Sequence, residues 1–211
     1  MLNRGMFISL EGVEGCGKSV QAGFLAEYIE ELGYSVIRTY EPGGTPIAEQ
    51  IREILLEPRN SDMTHITELL LYLASRAQHV VQLILPALNE GKVVVCERFS
   101  DSTFAYQGYA RGLDLNHLEQ VNEIATGGLK PDLTLILDLD AADGLSRKHH
   151  DERDRLENES VSFHKKVREA YLAIAHKSPE RLQVIDASGS IEDIHLSIRE
   201  CVDQRLANYV S

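Results

Sequence analysis

Gly12-Val13-Glu14-Gly15-Cys16-Gly17-Lys18-Ser19 matches the pattern G-x-x-x-x-G-K-[ST]. An apolar run, Met6–Leu10, precedes it, and a helix-periodic stretch begins at Lys18. That strand–loop–helix context separates a phosphate cradle from a chance Lys-Ser after a Gly-rich turn. The chemistry needs these residue types. Glycines let successive backbone N–H groups face a phosphate chain, and the helix N-terminus adds partial positive charge. Lys18 would bridge the terminal phosphates, and the Ser19 hydroxyl would ligate Mg²⁺. Gly12 through Ser19 is therefore the candidate ATP-binding loop.

Outward from the loop, short apolar runs alternate with longer amphipathic stretches. Strands are predicted at Met6–Leu10, Ser35–Tyr40, Lys92–Cys96, Asp132–Leu139 and Leu182–Asp186. They are rich in Val, Ile and Leu without strict alternation, as in strands buried on both faces. Helices are predicted at Lys18–Leu32, Pro46–Glu57, Thr64–Glu90, Leu115–Thr126, Ala141–Lys148, Ser160–His176 and Ile191–Asn208. Gly33 and Gly91 stand at C-cap positions. Pro86 should kink or end the third helix early. Strands alternating with helices imply α/β architecture: a P-loop NTPase fold, with a five-stranded parallel sheet, helices on both faces and right-handed crossovers. Residues 41–45, 97–113 and 149–159 are the predicted loops. In such folds the loops after strand C-termini line the ligand crevice.

The 211 residues fit one domain, taken as 1–211. Lys plus Arg is 21 and Asp plus Glu is 33, a net charge of −12. Such a balance disfavours nucleic acid and anionic membranes, so an anion site must be locally positive. Cys16, Cys96 and Cys201 include no C-x-x-C pair, which suits a reduced, cytoplasmic setting. No apolar run approaches the roughly 18 residues of a membrane span, and the N-terminus lacks a signal-peptide core. Cys16 beside the phosphate site reads as a small residue tolerated in the loop; thiol chemistry has no other support in the chain.

The cradle alone leaves the reaction open among GTPases, ATPases and small-molecule kinases. No N-K-x-D motif is present, and the D-x-x-G match at Asp186–Gly189 falls after the last predicted strand, as a loop. The third predicted strand runs into Glu97-Arg98. A carboxylate there suits the Mg²⁺ shell, and the Arg could grip a second phosphoryl group. By itself the pair reads more readily as a surface ion pair, which is common.

Five segments together resemble bacterial thymidylate kinase (dTMP kinase): Phe7–Ser19; Glu41-Pro42-Gly43-Gly44-Thr45 followed by Glu49 and Arg52; Leu70-Leu71-Tyr72-Leu73-Ala74-Ser75-Arg76; Glu97–Gly108 with its Ala-Tyr-Gln-Gly ending; and Asp154-Arg155-Leu156-Glu157. They stand in that family's order from residue 6 to about 175. The resemblance implies transfer of the ATP γ-phosphoryl to dTMP, giving dTDP for dTTP synthesis, with Mg²⁺ as cofactor and a homodimer packed through helices. It places Glu14 on the deoxyribose and acceptor-phosphate side, Tyr72 against the thymine ring and Arg76 in hydrogen bond to the base. Arg98 would hold the acceptor phosphate. Ser102, Tyr106 and Gln107 would complete the base pocket, and Glu41, Pro42 and Arg52 belong to the same wall. Tyr72 and Arg76, four apart, share one helix face.

This chain has Glu97-Arg98-Phe99 where the family usually has Asp-Arg-Tyr, so the metal shell gains a methylene and Phe99 loses a hydroxyl. None of Val13, Glu14, Gly15 and Cys16 is basic, so transition-state charge needs another source. Arg147, Lys148, Arg153 and Arg155 lie in the charged segment 147–159. It resembles a family branch whose mobile lid supplies arginines over the phosphates and excludes water on closing. Arg147 is assigned to ATP, and Arg153 or Arg155 to catalysis beside Lys18 and Arg98. His149 and His150 have no third metal ligand at suitable spacing. A kinase for another nucleoside or nucleotide, a nucleotide-dependent ATPase or switch, and a non-catalytic homologue are the alternatives. The apolar face of Thr64–Leu85 is the candidate dimer surface, although core packing explains the same stripe.

Overall fold

The structure is a computed structural model, and it describes residues 4–147 and 154–210. Five strands form one parallel sheet in the order β2-β3-β1-β4-β5: β1 Met6–Gly12, β2 Val36–Tyr40, β3 Val93–Glu97, β4 Leu133–Asp138 and β5 Leu182–Asp186. The three central strands are buried almost throughout, whereas edge strands β2 and β5 are partly exposed. Alternation within the central strands builds a core on each face. Met6, Ile8, Val93 and Val95 join one apolar cluster; Phe7, Val94 and Cys96 join another with Val80, Ile84 and Phe99.

The helices are α1 Lys18–Glu31, α2 Pro46–Leu56, α3 His65–His79, α4 Leu85–Asn89, α5 Ser100–Thr103, α6 Leu115–Thr126, α7 Ala141–Ser146, α8 Val161–Lys177 and α9 Ile191–Val210. Side-chain caps mark several starts: Thr64, Asp114 and Ser160 accept backbone N–H bonds at the first turns of α3, α6 and α8. Gly33 and Gly91 follow α1 and α4 at φ 89° and 74°, as their C-cap positions predict.

Two expectations need correction. The stretch 64–90 is not ended or simply kinked at Pro86. A wide π turn, Val80–Ile84, lies between α3 and α4, and the Leu85 N–H reaches the Val80 carbonyl five residues back. Widening the ladder just ahead of Pro86 accommodates a residue with no N–H to give. The predicted loop 97–113 is largely helical, as α5 followed by a π-helical stretch, Phe104–Ala110. Its Ser, Gly and Gln content masks this. Gly108 lets the stretch pack closely on α6, since a Cβ there would stand 2.6 Å from Leu115.

The order reverses between β3 and β1, a topological switch point where a ligand crevice is expected outside the strand C-termini. In register, Leu10 and Tyr40 both flank Glu97. The P-loop, the Glu41–Thr45 turn and the Arg98 segment therefore emerge side by side. Among the described residues, no helix is long and apolar enough to cross a membrane.

Candidate functional site: a phosphate loop and an acceptor recess

Gly12–Lys18 wraps the N-terminus of α1, with Gly17 as its N-cap. The loop is pressed against α7: a Cβ on Gly15 would lie 2.1 Å from the Gly144 carbonyl oxygen, and one on Gly144 would lie 2.1 Å from that of Glu14. Only this glycine pair permits such contact. Lys18 is buried, with its Nζ donating to the carbonyls of Gly12 (3.1 Å) and Val13 (2.8 Å). Arg147 donates from Nη1 to the Gly15 carbonyl at 3.1 Å, which keeps a second cation at the loop. Cys16 is buried in the core, in line with its reading as a small packing residue.

Ser19 Oγ donates to Glu97 Oε2 at 2.5 Å. Arg38 Nη2 donates to Glu97 Oε1 at 3.0 Å and to the Ser19 carbonyl at 2.8 Å. Hydroxyl and carboxylate oxygens brought together at the phosphate end fit Mg²⁺, which relies on one or two protein oxygens, water and substrate phosphates. Among the described residues, no cluster of three or more His, Cys, Asp or Glu could cage a metal by itself.

Arg98 has φ 66°, a left-handed conformation uncommon for a side chain this large, and such strain collects at functional sites. Its side chain is tied from several directions. Nη2 donates to Glu14 Oε1 (2.5 Å), and Nη1 faces the Gly12 carbonyl (3.1 Å), Tyr171 Oη (3.2 Å) and Ser102 Oγ (3.3 Å). The guanidinium also lies 5.1 Å from the Tyr106 ring centre. Burial opposes its charge, but Glu14 and the neighbouring Tyr106, Tyr171 and Glu11 more than offset this and raise its pKa well above the usual value. Tyr106 Oη donates to the same Glu14 oxygen at 2.9 Å.

Glu11 lies beneath this cluster, fully buried. It accepts from the Phe99 N–H (2.7 Å), Ser102 Oγ (2.6 Å) and Tyr171 Oη (2.9 Å). Burial, then the charge of Asp101, push its carboxyl up to about 7.

A cleft of about 430 Å³ runs from Lys18 and Ser19 to Arg98 and Tyr72, with Pro42 and Arg52 on its wall. Arg52 donates to the Pro42 carbonyl at 2.7 Å and stacks over Tyr40. An inner recess continues past Tyr72 to Arg76, Ser102, Tyr106 and Gln107, with Glu14 and Glu41 at its sides. Arg76 is 1% exposed, which excludes a solvated surface charge. Of the residues that the sequence assigned to the acceptor, the recess holds Glu14, Glu41, Tyr72, Arg76, Arg98, Ser102, Tyr106 and Gln107, while Pro42 and Arg52 line the outer cleft.

A family model described as thymidylate kinase matches residues 10–198. The chain belongs to the thymidylate kinase family. It is 50% identical over 201 residues to a thymidylate kinase of Symbiobacterium thermophilum, covering 95% of this chain and 94% of that one. With a thymidylate kinase of Syntrophotalea carbinolica it shares 51% over 195 residues, covering 89% and 90%. The crystal structure of thymidylate kinase from Ehrlichia chaffeensis superposes with a TM-score of 0.78 at 34% identity, covering 94% of this chain and 98% of that one.

Within this family member, one site assignment is corrected by its surroundings. Arg155 does not reach the phosphate loop. It is 7% exposed, its Nε donates to the Leu55 carbonyl (2.8 Å), and its Nη1 pairs with the buried Glu68 (2.6 Å). A guanidinium so held anchors the end of the charged segment to α2 and α3. Lys148, His149, His150 and Arg153 lie outside the described residues.

Sequence reasoning missed Glu11, Arg38, Glu68, Asn122, Tyr171 and His79. Glu11 carried a signal, as a carboxylate inside an apolar strand. Tyr171 and Asn122 carried none, being single residues on amphipathic helices that the fold alone brings against Arg98 and Arg76.

Proposed function

We infer that this chain transfers the γ-phosphoryl of ATP directly to the phosphate of dTMP, giving dTDP. One observation carries the reading: phosphate-loop Lys18 and Ser19 line the same cleft as Arg98 and Tyr72, so donor and acceptor ends open into one space. The acceptor is already a phosphate oxygen, so no covalent enzyme intermediate is needed; positioning and charge stabilisation carry the catalysis. In this reading the P-loop amides and Lys18 hold the donor phosphates, and Arg147 adds charge beside Gly15. Ser19 and Glu97 would hold Mg²⁺, which when bound neutralises phosphate charge. Arg98, fixed by Glu14 and Tyr171, aligns the acceptor phosphate. Tyr72 offers a flat face to the base, and Arg76, Ser102, Tyr106 and Gln107 enclose it. Segment 147–159 acts as a lid whose C-terminal end is tied down by Arg155.

A homodimer is part of the proposal. Ile47 and Ile54 on α2 and Ile66 and Leu70 on α3 are each about half exposed, and Val81 just beyond is 68% exposed, an apolar face that a partner copy would cover. Three cysteines, none disulfide-bonded, suit work in the cytoplasm. The test is a product-resolved assay with MgATP and dTMP, dUMP, dCMP, dGMP, AMP or thymidine, beside a control without acceptor. Preferential dTDP formation is expected. Preference for another acceptor would discard the base pocket, and acceptor-independent hydrolysis alone would replace the kinase with an ATPase.

A further inference from the structure

Four of the five guanidinium hydrogens of Arg76 are engaged within the protein. Nε donates to Glu41 Oε2 (2.7 Å), Nη1 to Thr103 Oγ1 (2.7 Å) and Asn122 Oδ1 (2.8 Å), and Nη2 to the Phe99 carbonyl (3.0 Å). The remaining Nη2 hydrogen has no acceptor among the described residues, and Arg76 lines the acceptor recess. One directional donor is therefore left for a ligand, and its aim depends on what holds the rest of the group.

Glu41 is held in turn. Its other oxygen, Oε1, lies 3.1 Å from Nδ1 of His79, one turn along α3 from Arg76, and His79 Nε2 lies 2.7 Å from Thr39 Oγ1. His79 is completely buried, and Thr39 and Glu41 nearly so. A carboxylate only accepts, so Nδ1 carries the proton; in the neutral imidazole Nε2 then accepts from the Thr39 hydroxyl. The hydrogen bonds converge on Glu41, from Thr39 through His79 on one side and from Arg76 on the other. This network spans β2, the loop after it and α3. The turn leaves room for it: a Cβ on Gly44 would stand 2.6 Å from both His79 Nε2 and Thr39 Oγ1.

We propose that His79 is a positioning residue for acceptor specificity, acting with Thr39 through Glu41 to aim the free N–H of Arg76 at the base. This rests on the reading of Arg76 as the base-contacting arginine. A donor aimed into the recess favours a base with a carbonyl oxygen at that edge, as in thymine. It penalises cytosine, which presents an amino group there.

The experiment measures kcat/KM for dTMP and for dCMP, with KM for ATP, in the intact protein and in His79→Leu, His79→Asn and Thr39→Val. Leu removes the donor to Glu41 at similar bulk, whereas Asn returns an amide N–H near the position of Nδ1. The dTMP-over-dCMP ratio is expected to fall about tenfold or more in His79→Leu, as outer-shell partners elsewhere do. KM for ATP should stay within about twofold, and His79→Asn should recover most of the ratio. If both acceptors lose kcat/KM equally, or the ratio holds in a folded His79→Leu, the relay is refuted. Should His79→Leu fail to fold by circular dichroism, Thr39→Val decides: a fall in the ratio supports the relay and an unchanged ratio overturns it. An unmodified protein that does not prefer dTMP would instead overturn the base-pocket reading, and the relay with it.

Discussion

Glu11 combines three features at one residue: complete burial, three donors and contact with both hydroxyls that hold Arg98. Its carboxyl is raised from 4.5 to about 7, chiefly by burial and then by Asp101. A carboxyl raised on folding binds its proton more tightly in the native state. Its protonation therefore favours the fold most fully below about pH 4.5, and that contribution is lost as pH climbs to about 7. The full difference corresponds to on the order of 3 kcal/mol. Glu11→Gln cannot ionise and should lose this dependence. Thermal melts of both proteins from pH 5 to pH 8 should show the variant gaining relative to the unmodified chain as pH rises. Parallel melting curves across that range would mean Glu11 stays ionised, held by Ser102, Tyr171 and the Phe99 amide.

At the level of elements, the end of the charged segment is clasped rather than free. Glu68, fully buried on α3, accepts from Arg155 (2.6 Å), Arg111 (3.1 Å) and Gln107 (2.9 Å), and Arg111 reaches on to Glu159 (2.6 Å). Removing one partner of such a buried pair costs about 3–5 kcal/mol, whereas losing an arginine that touches the transferring group costs about 10³-fold or more in rate. Arg155→Met should therefore lower the melting temperature by roughly 6 °C or more and reduce kcat less than about tenfold. A kcat loss near a thousandfold with an unchanged melt would return Arg155 to the phosphates. Here the limits of the sequence become physical. The P-loop was legible because strand, glycines and helix are contiguous and each has a local cause. The five strands were legible because burial on both faces leaves unbroken Val, Ile and Leu runs. Arg155 was misassigned because charge composition says nothing about which carboxylate 87 positions earlier folds beneath it. The helical character of residues 100–110 was hidden because π turns break the 3.6-residue period that reveals helices. The His79 relay was invisible for another reason: Thr39 and His79 lie 40 positions apart and meet only through the β2–α3 packing.

For the molecule as a whole, two properties oppose each other at the proposed dimer face. Ile47 and Ile54 on α2, and Ile66 and Leu70 on α3, recur at helical spacing on one exposed side, and covering them is favourable by about 25 cal/mol per Å² of apolar area. Each copy also carries a net charge of −12, so two copies repel over the screening length, about 10 Å at 0.1 M salt. The apolar gain is nearly insensitive to moderate salt, while the repulsion is screened by it. Self-association should accordingly tighten as salt rises from about 0.02 to 0.3 M, the reverse of an interface built on ion pairs. Sedimentation velocity should show a species of about twice 23.6 kDa, with the monomer fraction shrinking at higher salt. Leu70→Asp places a charge in the middle of the face and should shift the protein to monomer at micromolar concentration. Leu70 is 56% exposed and makes no part of the recess, so the circular dichroism of the variant should match that of the unmodified chain. A monomer at every salt concentration would remove the dimer from the proposal, and an association weakened by salt would move the interface away from α2 and α3 to a charged surface.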